Sequence, residues 1–410
     1  MSTTAMERAL LPWAQRIEGQ LPLPVRLCWG ADGASSLVLG GPGPARVEIR
    51  VRDLRALSLL VEPSLETLGQ AYVEGLLDVE GSVSDVLSVA HRLAETARPV
   101  EGLLGRMRRT FGHTRQSDSE AIRYHYDVSD AFYAQWLGDS MVYSCAYFEQ
   151  GDETLTQAQA KKIDHILRKL QIRPGHRLLD IGCGWGALVL RAAQAWGAQC
   201  VGVTLSRNQY EWARQRVEEA GLQDRIDIRL QDYRDITDPP FDRISSVGMF
   251  EHVGLNHLTD YFSRVQRLLK PDGWALNHGI TSTDPQDGET PLGGGRFIHR
   301  YVFPQGELPH IATVLRHLQL GGLEAVDVEN LRRQYQRTTQ LWSDAFEARA
   351  EHIRTLVDER RWRIWRVYLA GCAWAFEHDQ VAIYQVLCRP SGQGTQGLPW
   401  SRQWMYDPRA

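Results

Sequence analysis

Hydrophobic residues near the N-terminus alternate with polar ones, which is the pattern of short β-strands. Residues 25–38 and 46–51 show this alternation, and the glycine- and proline-rich stretch 40–44 between them is typical of a turn. Three segments with apolar residues at every third or fourth position follow, which predicts helices over 54–60, 65–76 and 83–94. We therefore predict a small N-terminal α/β domain over residues 1–102, which either docks or binds an apolar lipid group.

A second pattern begins near residue 121, where short apolar runs alternate with amphipathic segments. The predicted strands are 177–181, 199–204, 226–230, 241–247 and 274–278. The predicted helices around them are 156–170, 187–196, 207–220 and 258–269. Strands that alternate with helices form a mainly parallel sheet with helices on both faces, and ligands bind at the carboxyl ends of such strands. Residues 121–390 are therefore predicted to form the main α/β domain.

Several segments depart from these two patterns. Residues 103–120 are polar and basic, which predicts a linker that is either solvated or held near anionic lipid headgroups. Residues 391–410 are predicted to be a loose C-terminal tail. The glycine-rich stretch Thr283–Arg296 is predicted to be a surface loop, or a mobile flap. Charged and aromatic residues interleave over Arg360–Arg366, which indicates a helix with one wet face or a segment on a membrane interface.

Composition and charge exclude several classes of protein. The 410 residues are 43% hydrophobic and 23% charged, which is typical of a globular protein, and no apolar stretch reaches the ~18 residues that span a bilayer. The net charge of −4 argues against a chain that coats nucleic acid. Six scattered cysteines without a CxxC pair exclude a disulfide scaffold and a zinc ribbon, so we expect no metal site and a cytoplasmic location. Charged residues at Glu7 and Arg8 argue against a secretory signal.

A glycine-rich turn lies between a predicted strand and a predicted helix in the sequence LLDIGCGWG, residues 178–186. Its glycines, Gly182, Gly184 and Gly186, have the spacing GxGxG rather than the GxGxxG of dinucleotide sites, and the second strand ends without an acidic residue for a ribose. Asp180 precedes the first glycine, where it can meet a cationic group. S-adenosylmethionine carries a sulfonium and an amino group and has no pyrophosphate, so the turn favours this cofactor.

Two further segments lie where the rest of that cofactor would bind. Ser206 and Gln209 have the spacing of a capping box, which is a sufficient structural role for them. Contact of Thr204 or Gln209 with adenosine or ribose is an added hypothesis. Asp232 and Tyr233 follow the third strand, where they form either an adenine contact or a surface turn.

Nine short motifs are highly specific in combination. They are HYDV (125–128), MVYSC (141–145), LLDIGCGWG (178–186), VTLSRNQ (203–209), MFEHVG (249–254), NHGI (277–280), RYVFP (300–304), YQRT (335–338) and GCAWAF (371–376). In these motifs the chain resembles the cyclopropane-fatty-acyl-phospholipid synthases and the related mycolic acid cyclopropane synthases. The resemblance implies a class I S-adenosylmethionine-dependent methyltransferase fold over 121–390, with cofactor contacts at Tyr143, Ser144, Asp180, Gly182, Gly184, Gly186, Thr204, Leu205, Gln209, Asp232 and Tyr233.

The resemblance also implies a reaction. Members of this family transfer a methyl group from S-adenosylmethionine to a cis double bond of a phospholipid acyl chain, and then remove a proton from that methyl group to close a cyclopropane ring. A bound bicarbonate is the base, and its ligands by resemblance are Cys145, Glu251, His278, Ile280 through its backbone, and Tyr335. Bicarbonate can donate its O–H to a carboxylate while it accepts hydrogen bonds from the other ligands.

Cys372 matches a position where the family has been suspected of a catalytic cysteine. The surrounding sequence GCAWAF predicts the middle of an apolar helix, where a thiol is inert. The sequence therefore favours a structural role for Cys372, although it remains one of the candidate catalytic residues.

The expected partners are unsaturated phospholipids at the cytoplasmic membrane surface, a second copy of the chain in a homodimer, and no nucleic acid. Three alternative functions stay open. The same site could methylate the double bond without ring closure, the chain could methylate a soluble small molecule, or it could be a lipid-binding module without activity. The complete set of predicted base ligands favours ring closure.

Overall fold

The structure is a computed structural model that describes residues 11–30, 34–53, 55–61, 63–96, 128–288, 290–304 and 306–406. The predicted linker 103–120 and most of the HYDV motif lie outside the described residues. The chain divides into two compact units, and each draws on three segments. The first unit contains Met1–Arg109, Gly288–Pro304 and Ala350–Ala375, and the second contains Thr110–Asp287, Gln305–Arg349 and Phe376–Ala410. The first unit therefore includes two segments from the range that we assigned to the main domain.

The first unit contains a four-stranded sheet in the order β2-β1-β3-β4. Its strands are β1 (Val25–Trp29), β2 (Ser35–Leu39), β3 (Val47–Val51) and β4 (Leu77–Gly81). Its helices are Arg55–Val61, Leu65–Val73, Val83–Thr96, Gly294–Tyr301, Ala350–Leu356 and Glu359–Glu377. The predicted strand 46–51 and the three predicted helices are confirmed within a few residues, whereas the run 25–38 contains two paired strands, β1 and β2. Strand β4 was not predicted, because its sequence LDVEG is short and half of it is polar.

The glycine-rich stretch Thr283–Arg296 is not a loop to its end, and that prediction is wrong from residue 294 onward. A helix begins at Gly294, and its Phe297 ring packs over Gly69, where a Cβ atom would lie 2.6 Å from the ring. Arg296 of the same helix forms an ion pair of 2.7 Å with Glu66. The apolar spacing that marks this helix starts only after the glycines, which conceal its beginning.

The Arg360–Arg366 run lies in the helix Glu359–Glu377, one face of which is buried. Trp362 and Trp365 are buried, and the guanidinium of Arg363 forms an ion pair of 2.7 Å with Asp78. This arrangement agrees with a helix that has one wet face.

The second unit contains a seven-stranded sheet in the order β10-β11-β9-β8-β5-β6-β7. Its strands are β5 (Arg177–Ile181), β6 (Gln199–Thr204), β7 (Ile226–Leu230), β8 (Phe241–Val247), β9 (Leu269–Ser282), β10 (Leu323–Asn330) and β11 (Val381–Pro390). Strands β5 to β9 pair in parallel, whereas β11 is antiparallel to both β9 and β10. The predicted fold class is confirmed. The antiparallel pair β10 and β11 was not predicted.

Helices cover both faces of this sheet and bury it. They are Asp130–Leu137, Leu155–Lys169, Ala187–Trp196, Arg207–Glu219, Leu258–Leu268, Ile311–Leu320, Arg332–Ala348 and Gln403–Tyr406. One apolar cluster includes Ile166 and Val189, and a second includes Phe241 and Phe262. Among the described helices, none combines the length and apolar character needed to cross a bilayer.

Residues 404–406, the last that the structure describes, pack within the second unit, which differs from the predicted loose tail. Met405 in the last described helix is buried, and Arg402 forms an ion pair of 2.5 Å with the buried Asp327. Residues 391–403 are exposed, except for the half-buried Leu398. Only the first part of the segment therefore resembles the tail that the sequence suggested.

Candidate active site

A cavity of about 420 Å³ opens at the carboxyl ends of β5, β6 and β8 in the second unit. This is where ligands bind in sheets of this kind. Ten of the eleven predicted cofactor-binding residues line it: Tyr143, Ser144, Asp180, Gly182, Gly184, Thr204, Leu205, Gln209, Asp232 and Tyr233.

The three glycines of the turn after β5 have different roles. All have positive φ angles, 79° for Gly182, 54° for Gly184 and 83° for Gly186, which favour glycine. A Cβ atom on Gly184 would meet nothing within 4 Å, so the backbone leaves open space for a ligand there. A Cβ atom on Gly186 would lie 3.1 Å from that of Ala213. Gly186 therefore allows close helix packing, which explains why it is absent from the cavity lining.

Asp180 is a buried carboxylate on the cavity lining. Its Oδ1 accepts a hydrogen bond of 2.6 Å from Ser245 Oγ, which fixes its orientation. Burial raises the pKa of Asp180 to about 6, because it disfavours the charged form, so the group is ionised at neutral pH. A buried anion at this position is suited to a cationic amino group.

The VTLSRNQ segment forms only half of the predicted capping box. The backbone N–H of Gln209 donates to Ser206 Oγ at 3.4 Å, as expected for a helix cap. The Gln209 side chain does not return to the Ser206 N–H; its Oε1 accepts from Thr204 Oγ1 at 2.9 Å. This bond keeps the polar ends of Thr204 and Gln209 together on the cavity lining.

Asp232 and Tyr233 are half-buried on the cavity lining, in a short 3-10 helix after β7. Arg234 forms an ion pair of 2.7 Å with Asp232, and the Tyr233 ring meets the edge of Tyr261 at 5.5 Å. Both side chains are therefore held in fixed positions on the cavity lining, and Asp232 also caps the 3-10 turn.

Glu251 lies after β8, and its carboxylate is held by β9. The backbone N–H of Ile280 donates to Glu251 Oε1 at 2.7 Å. The second oxygen, Oε2, is buried and has no hydrogen-bond partner among the described residues. Burial raises the pKa of Glu251 to about 7. Buried polar atoms are normally satisfied, so this oxygen is available to a ligand or a water molecule.

His278 on β9 presents a second unsatisfied atom. Its Nδ1 accepts a hydrogen bond of 3.1 Å from Gln385 Nε2, which lies directly opposite on β11, and this places the ring proton on Nε2. Nε2 is buried and lacks a partner in the described part of the chain. Burial lowers the pKa of His278 to about 3, so the ring is a neutral N–H donor.

Cys145 and Tyr335 are connected to β11 through Leu331. The backbone carbonyl of Leu331 accepts from the Cys145 thiol at 3.9 Å and from the Tyr335 N–H at 3.0 Å. Its N–H donates to Ile383, whose register partner on β9 is Ile280. Burial raises the pKa of Cys145 far above its usual range, so it remains a thiol. All five predicted base ligands are therefore connected through β9, β11 and the segment around Leu331.

Three aromatic side chains, Tyr143, Trp342 and Tyr335, form what we call the aromatic row. The Tyr143 and Trp342 ring centroids are 5.3 Å apart, and those of Trp342 and Tyr335 are 5.8 Å apart. Tyr143 lines the cofactor cavity, and Tyr335 is one of the predicted base ligands. The row therefore connects the cavity with the predicted base ligands.

Cys372 is not among the residues that the second unit brings together. It belongs to the first unit, where it lies half-buried in the helix Glu359–Glu377. Burial raises its pKa to about 12, which keeps the thiol protonated and unreactive.

Sequence reasoning missed two polar residues at this site, Gln385 and Lys162. Lys162 lines the cofactor cavity and is almost completely buried. It lies on the buried face of the helix Leu155–Lys169 beside Ile163 and Ile166, and a charged residue on an apolar helical face is a signal that the sequence did contain. Gln385 lies on the strand β11, which was not predicted.

Gly279 lies between His278 and Ile280 on β9 and is in close contact with the Phe250 ring, so a substitution there tests how β9 packs on that ring. A Cβ atom at Gly279 would lie 1.8 Å from the Phe250 ring, so Gly279→Ala must displace the ring or the strand. We expect a loss of about 3 kcal/mol in the free energy of unfolding, measured with urea. Gly371→Ala is the control, because its Cβ atom meets nothing within 4 Å, and it should change stability by at most about 1 kcal/mol. Equal losses of unfolding free energy in the two variants would contradict the close contact between Gly279 and the Phe250 ring.

Known proteins are similar to this chain in sequence and in fold. Residues 113–386 match the family described as mycolic acid cyclopropane synthetase. A probable fatty acid methyltransferase of Pseudomonas putida is 45% identical over 368 residues, which cover 89% of this chain and 93% of that protein. Cyclopropane mycolic acid synthase 1 of Mycobacterium tuberculosis is 37% identical over 276 residues, covering 65% and 96% of the two chains.

A solved structure agrees with these relationships. The crystal structure of mycolic acid cyclopropane synthase CmaA1 complexed with SAH and CTAB is 36% identical, with a TM-score of 0.63 over 66% of this chain and 97% of that chain. The open space at Gly184 and the buried Asp180 fit a cofactor with an amino group. This chain belongs to the mycolic acid cyclopropane synthetase family and is an S-adenosylmethionine-dependent methyltransferase.

Proposed function

We propose that the enzyme transfers a methylene group from S-adenosylmethionine to the cis double bond of unsaturated acyl chains in membrane phospholipids, which produces cyclopropane fatty acids. The observation that carries this proposal is the pair of unsatisfied buried atoms, Glu251 Oε2 and His278 Nε2. Methyl transfer to the alkene leaves a carbocation, and ring closure requires a base that removes a proton from the added methyl group. We assign these two buried atoms to holding that base.

S-adenosylmethionine supplies an electrophilic methyl group when it is bound. In this proposal Asp180 binds its amino group, and the open backbone at Gly184 allows close approach. Thr204 and Gln209 contact the ribose, and the Tyr233 ring contacts the adenine. All of these side chains line one cavity, so they orient the cofactor relative to the aromatic row.

The aromatic row supports a reaction that passes through a carbocation. An alkene is a weak nucleophile, so the enzyme must position it well and stabilise the cation that forms. The π faces of Tyr143, Trp342 and Tyr335 offer that stabilisation, which is worth about 2 kcal/mol for each desolvated contact. Trp342 and Tyr335 are buried, and this excludes water that would otherwise capture the cation.

The residues present fit a bicarbonate ion, which would supply the base. Glu251 Oε2 is free to accept from the O–H of the ion, and His278 Nε2 is free to donate to one of its oxygens. Tyr335 and Cys145 complete the proposed set by resemblance, although in this structure the Cys145 thiol donates to the backbone carbonyls of Ala146 and Leu331. The Ile280 N–H donates to Glu251, so in this structure it orients that carboxylate. Gln385 maintains the tautomer that makes His278 a donor.

This assignment predicts a pH dependence. Ionised Glu251 accepts from the ion, and protonated Glu251 does not, so activity requires the form that exists above its pKa of about 7. We expect kcat/KM to fall with unit slope as the pH decreases below about 7. The profile should be measured at constant bicarbonate concentration, together with binding of S-adenosylhomocysteine. A flat kcat/KM between pH 6 and 8 would contradict the role of Glu251.

The phospholipid substrate, association with the cytoplasmic face of the membrane and a homodimer are further parts of the proposal, which rest on the resemblance in sequence. The phospholipid substrate is tested by incubating the protein with S-adenosylmethionine, bicarbonate and vesicles of unsaturated phospholipid, followed by mass spectrometry of the acyl chains. The proposal requires a gain of one CH2 per modified chain. A free unsaturated fatty acid that reacts while the vesicles do not would overturn the phospholipid assignment.

A second candidate is methylation of the acyl double bond without ring closure, which would produce a methyl- or methylene-branched chain. The name of the P. putida relative, a probable fatty acid methyltransferase, favours this candidate, because that protein aligns with 89% of this chain. Both reactions add the same mass. Both also release one proton to a base, so ring closure rests on the resemblance of the base ligands to those of the cyclopropane synthases, and the structure of the product decides between the two reactions.

A further inference from the structure

Lys162 is a buried cation on the lining of the cofactor cavity. Its side chain is 3% exposed, and its Nζ donates a hydrogen bond of 2.8 Å to Ser144 Oγ. Among the described residues, no carboxylate lies within ion-pair distance of Nζ, and no second hydrogen bond is made. An ammonium has three N–H donors, so two of them remain available for a ligand.

The position of this cation is unusual in energetic terms. Burial lowers the pKa of Lys162 to about 8, because the charged form loses hydration and the interaction with Asp180 restores only part of it. Buried charges in proteins are normally paired. The half-buried neighbour Lys161 is paired in this way, since it forms ion pairs of 2.7 Å with Glu149 and Glu153. Lys162 lacks such a partner in the described part of the chain.

The cavity lining therefore carries two buried charges of opposite sign, Asp180 and Lys162. The methionyl end of S-adenosylmethionine carries an amino group and a carboxylate on one carbon atom, which are the complementary charges. We propose that Lys162, together with the Ser144 hydroxyl, binds the carboxylate of the cofactor. Ser144 accepts from Lys162 and thus directs its own O–H toward the same anion. This inference rests on the cofactor dependence of the family and is independent of ring closure.

The arrangement has a consequence for orientation. Because Asp180 and Lys162 carry opposite charges, they admit the amino acid end of the cofactor in one direction only, since reversal would place like charges together. The methyl group is then held in one position relative to the aromatic row. Lys162 is a cofactor-binding residue in this proposal and has no part in proton transfer.

Calorimetry with two ligands tests the proposal. S-adenosylhomocysteine carries both groups, whereas its decarboxylated form keeps the amino group and lacks only the carboxylate. We expect Lys162→Met to weaken S-adenosylhomocysteine binding about 10- to 30-fold, as for the loss of one charge-assisted hydrogen bond, and to leave binding of the decarboxylated ligand unchanged or tighter. Lys161→Met is the matched control and should alter neither affinity.

Two results would overturn the proposal. Equal losses of affinity for both ligands would show that Lys162 maintains the shape of the cavity. A variant that does not fold would bind neither ligand. No loss for either ligand, combined with a raised bicarbonate requirement in the activity assay, would assign Lys162 to the bicarbonate ion. A loss confined to the ligand with the carboxylate supports the assignment even where the variant is less stable.

Discussion

Replacement of Glu251 by glutamine is expected to lower kcat about 100- to 1,000-fold without a change in the affinity for S-adenosylhomocysteine. Glutamine keeps the acceptor that receives the Ile280 N–H, so the local fold should persist. The amide NH2 then takes the place of the unsatisfied carboxylate oxygen, and this group can donate a hydrogen bond but cannot accept one. In this account the base is then misplaced, although the cofactor cavity is intact.

Glu307→Gln is the matched control for this experiment. Glu307 is a neighbouring buried carboxylate that also accepts a backbone hydrogen bond, in this case from Leu255 at 2.7 Å. It is not a predicted base ligand, so its replacement should cost stability and leave kcat within the same order of magnitude. Equal losses of kcat in the two variants would show that the effect of Glu251 is structural.

The second large effect is expected at Asp180. Asp180→Asn should weaken binding of S-adenosylhomocysteine about 100-fold, because the amino group loses a buried anion and a charge-assisted hydrogen bond. The Ser245 hydroxyl can still donate to the amide oxygen, so the strand should keep its geometry. The wild-type affinity should also fall as the pH decreases through about 6, where Asp180 becomes protonated.

Calorimetry measures both parts of this prediction, and Asp227→Asn is its control. The Asp227 side chain is 57% exposed on β7, in an ion pair with Arg229 that is expected to contribute about 1 kcal/mol or less. If Asp180→Asn binds the ligand as tightly as Asp227→Asn does, the amino group is held elsewhere. The assignment of the cofactor carboxylate to Lys162, which depends on the amino group binding at Asp180, would then lose its basis.

The core of the methyltransferase fold could be predicted from the sequence because its elements are strongly periodic. Strands β5 to β8 have the predicted bounds, and ten of the predicted cofactor-binding residues line one cavity. The glycine turn explains this success, since a strand, a GxGxG turn and a helix determine where the cavity opens. The different role of Gly186 was not predictable, because it depends on contact with Ala213 in another helix.

Features that depend on long-range pairing could not be derived in the same way. The bond between Gln385 and His278 joins residues 107 positions apart through an antiparallel strand that has no distinctive signal. The division into units depends on the helix Gly294–Tyr301 and on residues 350–375, which lie far from Met1–Arg109 in sequence. Lys162 is different, because its place on an apolar helical face was visible in the sequence and was overlooked.

The most direct test of the proposed reaction is the structure of the product. The wild-type enzyme should be incubated with S-adenosylmethionine, bicarbonate and vesicles of unsaturated phospholipid, and the released acyl chains examined by proton NMR. The account predicts high-field cyclopropane protons and a loss of vinyl protons, together with a loss of activity when bicarbonate is removed. Vinyl or branched-methyl protons in a product that has gained one CH2 would contradict ring closure and would establish methylation alone.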